Sequence, residues 1–192
     1  SGFDNKLFVW KNLPDESGVA PDVIYHFCWY RNAESESRHF CEGLFHPWDN
    51  TLHGNTFAMA GRDRLMIWTE LPLEGNLPEH DFVGGVGGVI FDELTGVAMD
   101  DNYFYVADKR ANLVYVWAGI PDGTHEPVAT LPVSLPTRLS TDGTWLAVNS
   151  TLSHGAQLYR VDQITSSGAS STVGGEGTFN LPEGTTVDGG HL

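Results

Sequence analysis

Leu94-Thr-Gly-Val-Ala-Met-Asp-Asp-Asn-Tyr-Phe-Tyr-Val-Ala-Asp-Lys-Arg-Ala-Asn-Leu-Val-Tyr-Val-Trp117 reads as three short strands in succession. Leu94 to Met99 is apolar and ends in the turn cluster Asp100-Asp101-Asn102. Tyr103 to Ala107 is aromatic and β-branched until Asp108-Lys109-Arg110 breaks it, and Leu113 to Trp117 is a third run. Short strands closed by Asp/Asn turns make an antiparallel meander. One such sheet cannot bury both faces alone and needs neighbours of its own kind.

The neighbours are in the sequence. The third strand and its exit recur as Asn5-Lys-Leu-Phe-Val-Trp-Lys-Asn-Leu-Pro14, Asp63-Arg-Leu-Met-Ile-Trp-Thr-Glu-Leu-Pro72 and Asn112-Leu-Val-Tyr-Val-Trp-Ala-Gly-Ile-Pro121. Ala156 to Ile164 is a worn copy without the Trp and the Pro, with Val161 expected at the Trp position. The turn before the second strand recurs at His53-Gly-Asn55, Asp100-Asp-Asn102, Asp142-Gly143 and Asp188-Gly189. A period in the forties that carries several strands predicts a β-propeller of four-stranded antiparallel blades, with 1–192 as a single propeller domain or a propeller fragment. Trp10, Trp68 and Trp117 are expected as equivalent buried packing residues rather than a sugar-stacking row.

Gly96-Val-Ala-Met-Asp, Tyr105-Val-Ala-Asp and Asn112-Leu-Val-Tyr-Val-Trp117 together resemble an NHL repeat, as does Leu181 to Gly190. The resemblance is strong over 94–121 and 181–192, moderate over 44–72 and weak over 134–164. The last stretch departs from it, with Pro136-Thr137-Arg138 where the family usually has Pro and Gly. The resemblance implies a propeller and no single activity.

Ten basic against 25 acidic residues give a net charge of −15. Such a surface repels phosphate backbones, so no nucleic-acid partner is expected. No run of 18 apolar residues exists to span a membrane. The 22 glycines and 10 prolines suit a turn-rich all-β chain. Gly84-Gly-Val-Gly-Gly88 resembles a phosphate-binding loop superficially, but no helix pattern follows it, and it reads as a crossing between blades.

Residues 28–43 are an insertion bracketed by the chain's two cysteines, Cys28 and Cys41. A disulfide at its base would stabilise by roughly 3 kcal/mol and imply an oxidising compartment, hence a secreted or periplasmic protein. Two free thiols, or a metal pair with His39, are the alternatives, although no CxxC spacing supports metal. The termini are expected to supply the two halves of one blade. Asp188 to Leu192 stops within a second strand, and Leu7 to Trp10 is a third strand. About four blade equivalents are therefore expected, with Leu7 to Trp10 beside a Pro182–Leu192-type segment. That segment would come from this chain, from a second copy in a homo-oligomer, or from blades outside this sequence.

Propeller ligands sit over the central channel, on loops that enter the innermost strands or join the second to the third. The channel-face candidates are His46, Trp48, Arg62, Asp108, Arg110, Arg138 and His154, beside Asp49, Asp92, Glu93, Lys109, Asn149, Ser153 and Glu183. No His recurs at one blade position, and no nucleophile elbow, HExxH or CxxCH motif is present. No catalytic residue, metal ligand or cofactor is assigned. The leading expectation is a non-catalytic binding or scaffold module for a protein or small molecule. The alternatives are a metal-dependent hydrolase or lyase using Ca²⁺ or Zn²⁺, lactonase-like or amidating-lyase-like, and a structural self-assembling subunit.

Overall fold

The computed structural model describes residues 6–27, 39–40, 47–166, 168, 171–175, 177–178, 184–189 and 191. Cys28, Cys41 and His46 lie outside them, and the disulfide expectation with them. The described residues are all-β apart from one 3₁₀ turn, Val161–Gln163. No helix among them is long and apolar enough to cross a membrane.

The first sheet holds β1 (Lys6–Val9), β2 (Val23–Phe27) and β3 (His39–Phe40). Three four-stranded antiparallel blades follow. Blade two is β4 (Asp49–His53), β5 (Thr56–Gly61), β6 (Arg64–Trp68) and β7 (His80–Val83). The link to blade three is a small hairpin, β8 (Gly85–Val86) and β9 (Val89–Ile90), so the glycine run is a crossing as expected. Blade three is β10 (Leu94–Met99), β11 (Tyr103–Asp108), β12 (Leu113–Ala118) and β13 (Ala129–Pro132). Blade four is β14 (Pro136–Thr141), β15 (Trp145–Ser150), β16 (Gly155–Arg160) and β17 (Ser171–Gly174). Within each blade the strands pair in sequence order, as a meander must.

The recurrent Asp turns work by one mechanism. Asp100 Oδ1 accepts the backbone N–H groups of Asn102 and Tyr103 at 2.9 and 3.0 Å. Asp142 Oδ1 does the same for Thr144 and Trp145 at 2.9 and 2.8 Å. A side-chain acceptor fixed at the corner sets the register of each first hairpin.

The core lies between blades. One cluster joins Ala58, Leu65 and Ile67 of blade two to Val97, Val106 and Trp117 of blade three. A second joins Ala98, Tyr105 and Val116 to Leu139, Leu146 and Tyr159 of blade four. A third sets Tyr25, with Leu7, Val9 and Val23, against Met59, Met66 and Trp68. The third-strand aromatic therefore turns toward the blade before it. Each indole N–H also donates to a carbonyl of its own exit loop: Trp10 to Val19 at 3.1 Å, Trp68 to Asn76 at 2.9 Å and Trp117 to His125 at 3.3 Å. Equivalence holds for all three, but burial does not. Trp68 and Trp117 are fully buried, whereas Trp10 is 37% exposed, because no described blade stands on its outer side.

Two further expectations shift. Leu146 pairs with Tyr159 as Phe104 pairs with Trp117, so Tyr159, not Val161, takes the Trp position in blade four. The chain leaves the sheet at Arg160, and Val161 begins the 3₁₀ turn. The C-terminal segment docks on blade four through Thr185 Oγ1 to Asn149 Oδ1 at 2.8 Å and Val187 N to Ser140 Oγ at 3.1 Å. Asp188 then bridges His191 as the start of another hairpin. Among the described residues this segment does not pair with β1, which is an edge strand of its sheet.

Candidate functional site

The innermost strands β4, β10 and β14 lie side by side, with β10 between the other two. In the strand register Asp49, Gly96 and Arg138 occupy one equivalent position, three residues before Leu52, Met99 and Thr141. Both β10 and β14 carry a bulge at their start, between Leu94 and Gly96 and between Pro136 and Leu139. Bulges of this kind re-aim side chains. Thr95 donates from Oγ1 to Pro136 O at 2.8 Å, and Arg138 Nη1 reaches Asp49 Oδ1 at 2.6 Å. Asp49 Oδ2 accepts the N–H of Val97 at 3.1 Å. Burial pushes the Asp49 carboxyl above its ordinary range, outweighing the opposing pull of the Val97 N–H and the Arg138 guanidinium.

One end of the blades carries the hairpin tips and the loops that enter the first strands. Arg62 and Asp63 form the two-residue β5–β6 turn, with Arg62 at φ +49°. A non-glycine residue there is strained and needs surrounding structure to hold it. Leu94 N donates to Arg62 O at 2.5 Å, which fastens the tip to the start of β10. Asp108, at the end of β11, is fully buried. Its carboxylate accepts the N–H groups of Asp92, Glu93 and Ala111 at 2.8, 3.0 and 3.1 Å. It therefore shapes the loop rather than facing the channel. Above it Arg110 Nε lies 2.8 Å from Glu93 Oε2, with Nη1 3.8 Å from Asp92 Oδ1.

These loops enclose a groove of about 400 Å³ between blades two and three. Trp48, Arg62, Asp63, Phe91, Asp92, Glu93 and Arg110 line it. Trp48 is 46% exposed, while Phe91 is buried. Of the sequence candidates, Trp48, Arg62, Asp92, Glu93 and Arg110 meet here. Asp108 is buried beneath the loop, Arg138 pairs with Asp49 on the innermost strands, and His154 sits on the β15–β16 turn at φ +51°. Asp63 and Phe91 were not expected. Asp63 is visible in the sequence only once the β5–β6 turn is known to be two residues long, and Phe91 only once the small hairpin ends at Ile90. No group of three or more His, Cys, Asp or Glu among the described residues is placed to hold a metal.

No model of a known protein family matches the chain, and no curated protein matches it. Solved structures do. Hydrazine synthase from Kuenenia stuttgartiensis aligns over 79% of this chain and 41% of its own, at 12% identity and a TM-score of 0.53. A putative 6-phosphogluconolactonase from Bacteroides uniformis aligns over 68% of this chain and 43% of its own, at 15% identity and 0.52. The computationally designed Ika8 protein aligns over 77% and 41%, at 16% identity and 0.51. This chain thus spans about two fifths of each of those chains. At such identities the likeness concerns the fold alone, and that fold is a propeller-like succession of four-stranded antiparallel blades.

Proposed function

We propose that the chain is a non-catalytic, NHL-like propeller module that binds a protein segment or small ligand in the groove between blades two and three. The observation that carries this reading is the half-exposed Trp48 standing over a cleft with a buried Phe91 and charged walls. Two aromatic and five charged residues line the groove, and about 400 Å³ is within the common size range of ligand sites. Three carboxylates of the channel end already have partners: Asp108 with three backbone N–H groups, Asp49 with Arg138, and Glu93 with Arg110. Such engagement favours positioning over acid–base chemistry. The NHL assignment rests on the quoted repeats and on the two Asp-anchored turns. A disulfide between Cys28 and Cys41, which bracket the 28–43 insertion, would go with a secreted or periplasmic location.

The test is a ligand panel of peptides, sugars and lactones, observed by saturation-transfer NMR with wild type and Trp48→Ala. Signals lost in the variant locate binding at the groove. If no ligand depends on Trp48, the groove reading fails. Lactone turnover that requires added Ca²⁺ or Zn²⁺ would replace it with the hydrolase reading.

A further inference from the structure

We propose that the groove recognises a cationic side chain, the ammonium or guanidinium of a basic peptide segment, seated between the half-exposed indole of Trp48 and the carboxylates of Asp63 and Asp92. This rests on the groove being the ligand site. Asp63 lines the groove, and its Oδ1 is buried and accepts no hydrogen bond from any described residue. A buried carboxylate oxygen without a donor is costly, and the charge of a cation seated nearby offsets part of that cost. The Asp92 carboxylate is 57% exposed, and its nearest cation, Arg110, lies 3.8 Å away and closer to Glu93. Three carboxylates line the groove against two guanidinium groups. An indole face beside carboxylates is a favourable seat for an ammonium or guanidinium group. A net charge of −15 steers basic partners to this chain and repels acidic ones.

The experiment measures fluorescence anisotropy of labelled hexalysine, hexaglutamate and an uncharged Gly-Ser hexapeptide. Wild type is compared with Trp48→Ala, with Asp92→Asn, and with the double variant Glu16→Gln/Glu70→Gln. Glu16 and Glu70 are exposed on loops at the opposite end of the blades, so the double variant removes more charge yet spares the groove. Asp92→Asn, at an exposed position, keeps the test valid should Trp48→Ala fail to fold. The expected result is that only hexalysine binds, about tenfold more weakly in Trp48→Ala and Asp92→Asn and unchanged in the double variant. Trp48-dependent binding of hexaglutamate or the uncharged peptide would overturn the cation assignment while keeping the groove. Hexalysine binding cut only by the double variant would overturn it as mere surface attraction. An absence of any groove-dependent binding would overturn both readings.

Discussion

Asp49 of blade two and Arg138 of blade four form an ion pair at 2.6 Å across the innermost strand of blade three. The equivalent residue of that strand is Gly96. Because Asp49 also accepts the N–H of Val97, the pair ties three successive blades through their innermost strands. Its members are unequal, since the Asp49 side chain is 12% exposed and that of Arg138 is 40% exposed.

That inequality predicts an asymmetry. Arg138→Met leaves a buried carboxylate uncompensated and should cost about 2–3 kcal/mol in a urea melt, short of a fully buried broken pair. Asp49→Asn keeps an acceptor for the Val97 N–H and leaves an arginine that water can reach, so it should cost about 1 kcal/mol. The pH dependence has a definite sign. Asp49 is raised in the folded state, so its stabilising contribution is full below the ordinary Asp value of 3.8 and is lost as pH rises through the folded value. The deficit of Arg138→Met should therefore shrink as pH falls toward that range. Equal costs for the two variants at neutral pH would refute the arrangement.

Gly96 should not tolerate a side chain. An added Cβ would stand 2.5 Å from Thr137 O, 3.1 Å from Leu139 Cγ and 3.2 Å from Ala107 Cβ. The nearest of these is backbone on the next innermost strand, which cannot swing aside. Gly96→Ala should force β10 and β14 apart and cost about 1–3 kcal/mol. A melt within a few tenths of wild type would show that the two strands are less closely apposed.

Two tyrosines should resist alkali. Burial raises Tyr105, whose hydroxyl donates to Asp100 Oδ2 at 2.7 Å, and pushes Tyr159 up to about 12. An unfolded tyrosine ionises at about 10. Stability from these groups is full below that value and is lost as pH rises through the folded values. Absorbance at the phenolate band should show both silent until the chain unfolds. Uniform ionisation of all six tyrosines near pH 10 in the folded protein would contradict their burial.

Blade order, strand order and the Asp turns were legible because each is a local signal: alternating β-branched and aromatic residues, and a carboxylate two or three residues before its donors. The burial of Asp108 is not legible, because sequence gives a loop position but not its depth. The three N–H groups that claim its carboxylate belong to residues up to 16 positions away. The equivalence of Asp49, Gly96 and Arg138 was hidden because bulges and unequal hairpin turns shift the spacing between blades. Tyr159 is hidden for a related reason. The exit from the sheet marks the Trp position in the other blades, and blade four leaves its sheet through a 3₁₀ turn instead of the Pro exit.

The equivalent tryptophans should differ sharply when truncated. Trp68 is fully buried against Tyr25 at a ring separation of 5.9 Å and against Phe57 at 5.5 Å, and its indole N–H is satisfied by Asn76 O. Trp68→Ala removes a wedge between two blades and should cost about 3–5 kcal/mol. Trp10 makes the same type of hydrogen bond, to Val19 O, and touches Phe8 at 6.2 Å, but more than a third of it faces outward. Trp10→Ala should therefore cost about 1 kcal/mol, mostly the lost hydrogen bond and partial packing. The comparison separates intrinsic strand packing from packing against a preceding blade, because the two sites share the former and differ in the latter. A Trp10→Ala loss as large as that of Trp68→Ala in the isolated chain would mean that its outer face is covered in solution.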